Sequence, residues 1–371
     1  MGLTLPWQAN GYLRWSGWLQ FFPTLFLSIA ATLAASAAAR LGFLWVYGLL
    51  AFLAALLAGL LLFDVATIKL GAHPVEPLPK PPNFTDPFDV ILRRRSCRAF
   101  QDRRLTAAHL QDLLHVSEVF VQQSRLLGEA PIRLVYVQAP LTVWPVVGAQ
   151  EFLVALVPKQ YDRMSVLDVG RSLQRVVLHA TSLGVATCWI GPGTDHQSVI
   201  AALGPRYNSD KERICCVCAM GYASRYVPSF VAAMQRFKSR SRLPLRSLFF
   251  ADAEFHTPLD TGASPFRRYE RCFEACRWAP SSTNAQPVRC MAVPSKRRFD
   301  FFAASASRYY TPVAVGIWLA NWEVGCEALG IKGRFLHLDE KERTPGGRSD
   351  LKLPSYDMSW VELAEEHQVP T

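Results

Sequence analysis

The chain runs to 371 residues, half of them apolar, with a formal net charge of +10 and a pI near 9.3. That length holds roughly two modules of ordinary size once any membrane segment is set aside. The aromatic residues are not interleaved with a basic stripe, so no nucleic-acid partner is expected, and the positive excess suits a phosphate site and a surface facing anionic lipid.

Residues 15–39 and 41–63 carry no charged side chain, and each run is long enough to cross a hydrocarbon core as a helix. A cleaved leader would end after the first run, so the expectation is a transmembrane hairpin over residues 1–70 that binds membrane lipid. A single tilted or re-entrant segment is the alternative. Arg14, Lys69 and Lys80 flank the outer ends against Arg40 at the turn. The positive-inside rule then places the remaining chain in the cytoplasm or an equivalent such as the mitochondrial matrix, which leaves the mitochondrial inner membrane as one location.

Pro74, Pro77, Pro79, Pro81, Pro82 and Pro87 make residues 71–88 a semi-rigid linker. Asn83, Phe84 and Thr85 match a glycosylation acceptor, but on the reducing side of a membrane chance is the better explanation. The nine cysteines show no disulfide framework and no second ligand pair of zinc-ribbon spacing. Packing accounts for Cys272 and Cys276 on one helix face and for Cys215, Cys216 and Cys218 in an apolar strand. No metal site is expected.

Residues 89–250 read as a first half. A turn of helix at 89–95, a helix at 105–121, a strand at 132–138, a helix at 169–183 and a strand at 214–220 follow from apolar spacing. Gly184 caps the second long helix, and an apolar stretch to Ile190 and Gly191 returns to the core. A second half, 251–338, repeats this weakly: helix 266–278, strand 289–293 and a helix 313–329 whose end, Ala328, Leu329, Gly330, Ile331, echoes Ser182, Leu183, Gly184, Val185. Residues 339–371, with Gly346, Gly347 and Pro354, read as an extended arm laid on a partner.

Two stretches carry chemistry. Arg93, Arg94, Arg95, Ser96, Cys97 and Arg98 offer guanidiniums that can fork onto a phosphate, and Ala279, Pro280, Ser281, Ser282, Thr283, Asn284, Ala285, Gln286 and Pro287 supply short polar groups on a turn. Together they resemble the nitroreductase family of flavin mononucleotide (FMN) enzymes. That family builds its site across a homodimer, whereas here both stretches lie in one chain.

The resemblance therefore implies an α+β nitroreductase-like fold made of two half-domains in an intrachain pseudo-dimer, of the single-chain, membrane-linked type. Half one lacks the Pro-Ser-Ser turn, with residues 124–131 near that place, and half two lacks the arginine-serine opener. Each half keeps what the other has lost, so one composite site is implied.

Carried over by position, Arg94, Arg95, Ser96 and Arg98, joined by Arg240 and Arg242, would hold the phosphate. Ile190 and Gly191 would present backbone amides to the flavin N5 edge, and Pro280, Ser281, Ser282, Asn284 and Gln286 would pack on the ring. Where the family has a bulky aromatic after Gln-Pro, Val288 stands here.

The flavin would take hydride from NADH or NADPH and reduce a small-molecule acceptor, nitroaromatic or quinone-like, with the protein supplying orientation and electrostatics. No catalytic side chain is required, and His179 reads as a core or interface histidine. The rival reading is an accessory subunit of a membrane complex, respiratory among the options, that retains the fold as a scaffold.

Overall fold

A computed structural model describes residues 18–83, 86–141, 143, 146–191, 195–238, 241–343 and 354–363. Two apolar helices come first, α1 (Phe22–Arg40) and α2 (Leu44–Asp64), the second continued by a π-helical turn, Val65–Lys69. Pro23 sits in the first turn of α1, where a missing N–H costs nothing. Gly42, at φ +77°, makes the reversal between the helices. Both are long and apolar enough to cross a membrane. Leu44 is 73% and Trp45 95% exposed, so this pair is not a core element of the rest of the chain.

Half one follows as α3 (Pro87–Arg93), α4 (Ala107–Phe120), β1 (Arg133–Gln138), β2 (Glu151–Pro158), α5 (Arg163–Ser182), β3 (Ala186–Ile190), α6 (His196–Leu203), β4 (Glu212–Gly221) and α7 (Ser229–Lys238). Side-chain caps explain several helix starts: Asp86 accepts from Phe88 N, Thr106 from His109 N, and Asp162 from Met164 N and Ser165 N. Because of the Asp162 cap, α5 begins well before the expected residue 169. β5 (Phe249–Phe250) ends half one, and half two holds α8 (Glu270–Arg277), β6 (Val288–Val293), β7 (Arg298–Ala303), α9 (Tyr310–Ala328), β8 (Gly333–Leu336) and β9 (Ser355–Glu362).

The two sheets share one topology. Strand order is β1-β2-β4-β3 in the first and β6-β7-β9-β8 in the second, with antiparallel pairing throughout each run. A fifth strand, β5, joins β6 in parallel and carries the end of half one onto the sheet of half two. The helices α5 and α9 also end alike. Gly184 (φ +76°) and Gly330 (φ +68°) take the left-handed position, while Val185 N bonds to Ala180 O and Ile331 N to Cys326 O. The fold is thus α+β and duplicated within one chain, as the complementary motifs implied.

The halves meet where α5 crosses α9. A Cβ added to Gly170 would stand 2.2 Å from Val313 O, and one on Gly316 would stand 1.9 Å from Leu167 O, so the backbones touch. Around this point Gln174 donates to Asn321 Oδ1 (3.1 Å) and Asn321 to Ala275 O (2.9 Å), while Arg171 pairs with Glu323 and Arg175 with Glu327. Arg163 and the buried Asp357 form a further pair between α5 and β9.

Some expectations fail. Within the expected arm, residues 355–362 form β9, which lies between β7 and β8 with Met358 and Trp360 buried, because its alternating apolar residues complete the sheet of half two; residues 344–353 and 364–371 lie outside the described residues. Residues 266–269 form a 3₁₀ turn ahead of α8 rather than part of the helix. The strands β2 and β7 went unread because both are buried along nearly their whole length and show no alternation.

Gly316→Ala is expected to destabilise the protein by about 3 kcal/mol, since a backbone oxygen cannot yield and the helices must part. Gly59, whose Cβ would meet nothing within 4 Å, is the control for Ala substitution. Equal denaturation midpoints for the two variants would show the crossing is loose.

Candidate functional site

At the end of α3 the backbone of Arg94 turns extended (φ −51°, ψ 127°), and the chain runs along the free edge of β3. Cys97 N donates to Thr187 O at 2.9 Å, which ties the arginine-serine stretch to β3 by a parallel bridge, and Phe100 N donates to Val147 O at 2.9 Å in the loop before β2. Arg94 is only 5% exposed and has no carboxylate partner among the described residues. Its nearest charges are two other guanidiniums. Burial first, then Arg242 and Arg95, push its pKa down to about 10, which still leaves it charged at neutral pH.

Trp278 is the platform on which Arg95 and Arg242 gather. The guanidinium of Arg95 lies 5.3 Å and that of Arg242 5.4 Å from its ring, and the Trp278 Nε1 donates to Glu274 Oε1 at 2.7 Å. Arg242 Nη1 donates to Asn284 Oδ1 at 2.5 Å and to Ala279 O at 3.3 Å, while its Nε is buried without a partner. Burial, Arg95 and Arg277 hold the Arg242 pKa below its usual value. Three cations packed together, one of them buried and unpaired, are costly unless an anion joins them. A phosphate is an anion that such guanidiniums could hold.

The turn that faces them is strained and tied down. Thr283 (φ 51°), Asn284 (φ 58°) and Gln286 (φ 48°) all sit in the left-handed region, which is unfavourable for β-branched threonine above all. Ser281 Oγ accepts from Gln286 N, Asn284 Nδ2 donates to Ser241 O at 2.7 Å, and Gln286 Oε1 accepts from Leu243 N at 2.9 Å. Half two's turn is thereby bolted to the segment that ends half one. Pro280 and Ser282 stand half-buried in the same turn.

The remaining expected residues divide. Ser96 and Arg98 line, with Arg95, Gly184 and Thr187, a cavity of about 380 Å³ beside the stretch. Ile190 ends β3 with its side chain in the core, paired with Val217, and Gly191 lies beyond it on the wall of a different cleft, against Tyr310. Arg240 lies outside the described residues. Val288 is buried in the core of half two. His179 pairs with Asp112 at 2.9 Å rather than with the site. The nine cysteines are unpaired, and burial raises Cys97 to about 12 and Cys188 to about 11, so both are thiols at neutral pH. Among the described residues no cluster of His, Cys, Asp or Glu could hold a metal.

Sequence reasoning missed Trp278 and Glu274. The adjacency of Arg277 and Trp278 to the serine turn was the available signal.

In half one the loop between α4 and β1 occupies the place that the serine turn has in half two, and it is closed by a carboxylate. Asp168, fully buried on α5, accepts from Leu127 N and Gly128 N. At the matching position of α9, two residues before the crossing glycine, half two has Ala314. A buried carboxylate there opposes a second anion site.

The family described as "Putative TM nitroreductase" matches residues 87–326, and the chain belongs to it. Among solved structures, a "putative nitroreductase" of Thermotoga maritima is 14% identical and covers 77% of this chain and 97% of its own, at a TM-score of 0.46. A nitroreductase family protein of Clostridium difficile is 20% identical over 44% of this chain and 95% of its own, at 0.32. A nitroreductase with bound FMN from Desulfitobacterium hafniense is 20% identical over 39% and 93%, at 0.31. No curated protein matches the sequence.

Burial raises Asp168 from the ordinary 3.8 to about 6, so the folded chain holds its proton to higher pH than the unfolded one. Its contribution to stability is present at low pH and falls as pH rises between those values, by on the order of 3 kcal/mol. Asp168→Asn should flatten urea-unfolding stability across that window. A slope unchanged from wild type would rule this out.

Proposed function

We propose that the chain is a membrane-anchored FMN oxidoreductase that accepts hydride from NADH or NADPH and passes electrons to a conjugated acceptor, nitroaromatic or quinone-like. One observation carries this reading: Arg94, buried with no carboxylate partner among the described residues, feels the charges of Arg242 and Arg95, and those two guanidiniums lie over Trp278 beside the 280–286 turn. Family membership supplies the nature of the anion. A flavin bound here would provide the hydride-accepting centre. The chain's own part is to neutralise a phosphate with planar, bidentate guanidiniums and to hold the serine turn rigid through Ser241 and Leu243.

Arg98 and Ser96 face the neighbouring cavity and would bind along the same ligand, while the loop carrying Leu127 and Gly128, held by Asp168, leaves the other half without a site. One flavin per chain is the expected stoichiometry. The placement of β9 inside the sheet takes residues 355–362 out of the extended arm that favoured the accessory-subunit reading.

The anchor rests on the bare faces of α1 and α2. Their attachment to the rest is polar: Asp64 at the end of α2 accepts from Ser229 N (2.7 Å) and so caps α7, and Glu76 accepts from Arg225 N (2.7 Å). The linker is thus strapped to the chain and does not swing free.

Replacing Arg94 and Arg98 with alanine should strip the yellow colour from the detergent-purified protein while its unfolding midpoint stays within a few degrees of wild type. Full flavin stoichiometry in that variant would falsify the assignment. Alkaline carbonate should leave the wild-type chain in the membrane pellet, with detergent needed to release it; recovery in the carbonate supernatant would end the anchor reading.

A further inference from the structure

A second cleft, of about 510 Å³, opens on the seam between the halves and is not used by the phosphate argument. Half one contributes Gly191 at the end of β3 and Arg213 on β4, and half two contributes Arg308, Tyr309 and Tyr310 at the start of α9. The Tyr310 ring closes on Gly191 so tightly that a Cβ there would stand 2.7 Å from it, yet the residue remains 41% exposed and presents an aromatic wall.

The charges lining the cleft are unequal. Glu212 is taken by Arg133 at 2.6 Å, and Lys159 by Asp210 at 3.5 Å. Arg213 and Arg308 have no carboxylate among the described residues. Arg308 lies 4.3 Å from the ring of Tyr161, whose hydroxyl donates to Arg308 O at 2.8 Å. Arg213 Nη1 reaches only the Tyr309 hydroxyl, at 3.5 Å. Two guanidiniums without a carboxylate partner among the described residues, one from each half, therefore flank an exposed tyrosine beside the glycine that the family resemblance sets near the flavin edge.

We propose that this cleft binds a planar ligand bearing a carboxylate or phosphate, its anionic group forked by Arg213 and Arg308 and its ring laid on Tyr310. The chemistry follows from what guanidinium pairs and aromatic faces recognise. The inference rests on the oxidoreductase reading for its meaning, since the bound molecule would be the acceptor or the nicotinamide donor. Its measurement does not depend on that reading.

Calorimetric titration of the purified full chain with 4-nitrobenzoate against nitrobenzene, and with NADPH against NADH, tests it. The more anionic member of at least one pair should bind about tenfold tighter or more. Preference in the first pair identifies an acidic acceptor, and preference in the second identifies the extra phosphate of the dinucleotide. Arg213→Gln combined with Arg308→Gln should abolish that preference while flavin content stays at the wild-type value. Equal affinities within both pairs, or a preference that survives the double substitution, would overturn the proposal. If the variant does not fold, the wild-type comparison alone decides. Failure of the flavin reading would show separately, as a colourless protein, whatever the binding preference.

Discussion

The crossing of α5 and α9 at Gly170 and Gly316 governs the rest of the molecule. Each glycine lets the opposite backbone approach to a distance that a single methyl group would forbid. The two sheets are thereby set at a fixed separation. The polar ring around the contact, Gln174 with Asn321 and Arg171 with Glu323, fixes the rotation of one helix on the other. Such groups hold one alignment because any slip would leave a buried amide or charge unpaired.

The cleft at Tyr310 lies on the seam that this crossing creates, whereas the cavity at Ser96 and Arg98 is lined by the linker and half one. The segment 241–243, which ends half one, can clamp the 280–286 turn of half two only if the halves stand in this relation, and β5 then joins β6 as its continuation. Arg94 reaches the same place from the opposite end of half one by riding the edge of β3. Arg95, Arg242 and Arg277, from segments distant in sequence, therefore set their guanidiniums over one tryptophan. The strain in the turn, with three non-glycine residues at positive φ, is held by these bonds and would relax without them.

Duplication accounts for the topology, and asymmetry accounts for the site. The sheets repeat strand for strand and the long helices share their caps, yet Asp168 stands where half two has Ala314, and the serine turn has no counterpart in half one. The apolar hairpin adds a further asymmetry, since the ties from Asp64 to Ser229, from Glu76 to Arg225 and the stacking of His73 on Tyr226 all reach half one. Gln101 completes this strap by donating to both Pro77 O and Ala223 O. The phosphate side of the site and the hairpin are thus held by the same half of the chain.

Local chemistry made much of this readable from residues alone. The uncharged runs, the proline linker, the capped helix ends at Gly184 and Gly330, the arginine-serine stretch and the Pro-Ser-Ser turn all speak through neighbours a few positions apart. What contact across the chain decides was not readable. Nothing local marks β2 or β7, because a strand buried on both faces has no period, and nothing local shows that β9 belongs between β7 and β8 rather than in an arm. The gathering of Arg95 and Arg242 on Trp278 and the closure of Gly191 by Tyr310 depend on how two helices cross, and the capture of Leu127 and Gly128 by Asp168 depends on a contact some forty residues away. Sequence by itself determined the parts and their chemistry; the tertiary structure alone decided which parts meet, because burial and close backbone approach are properties of the packed chain.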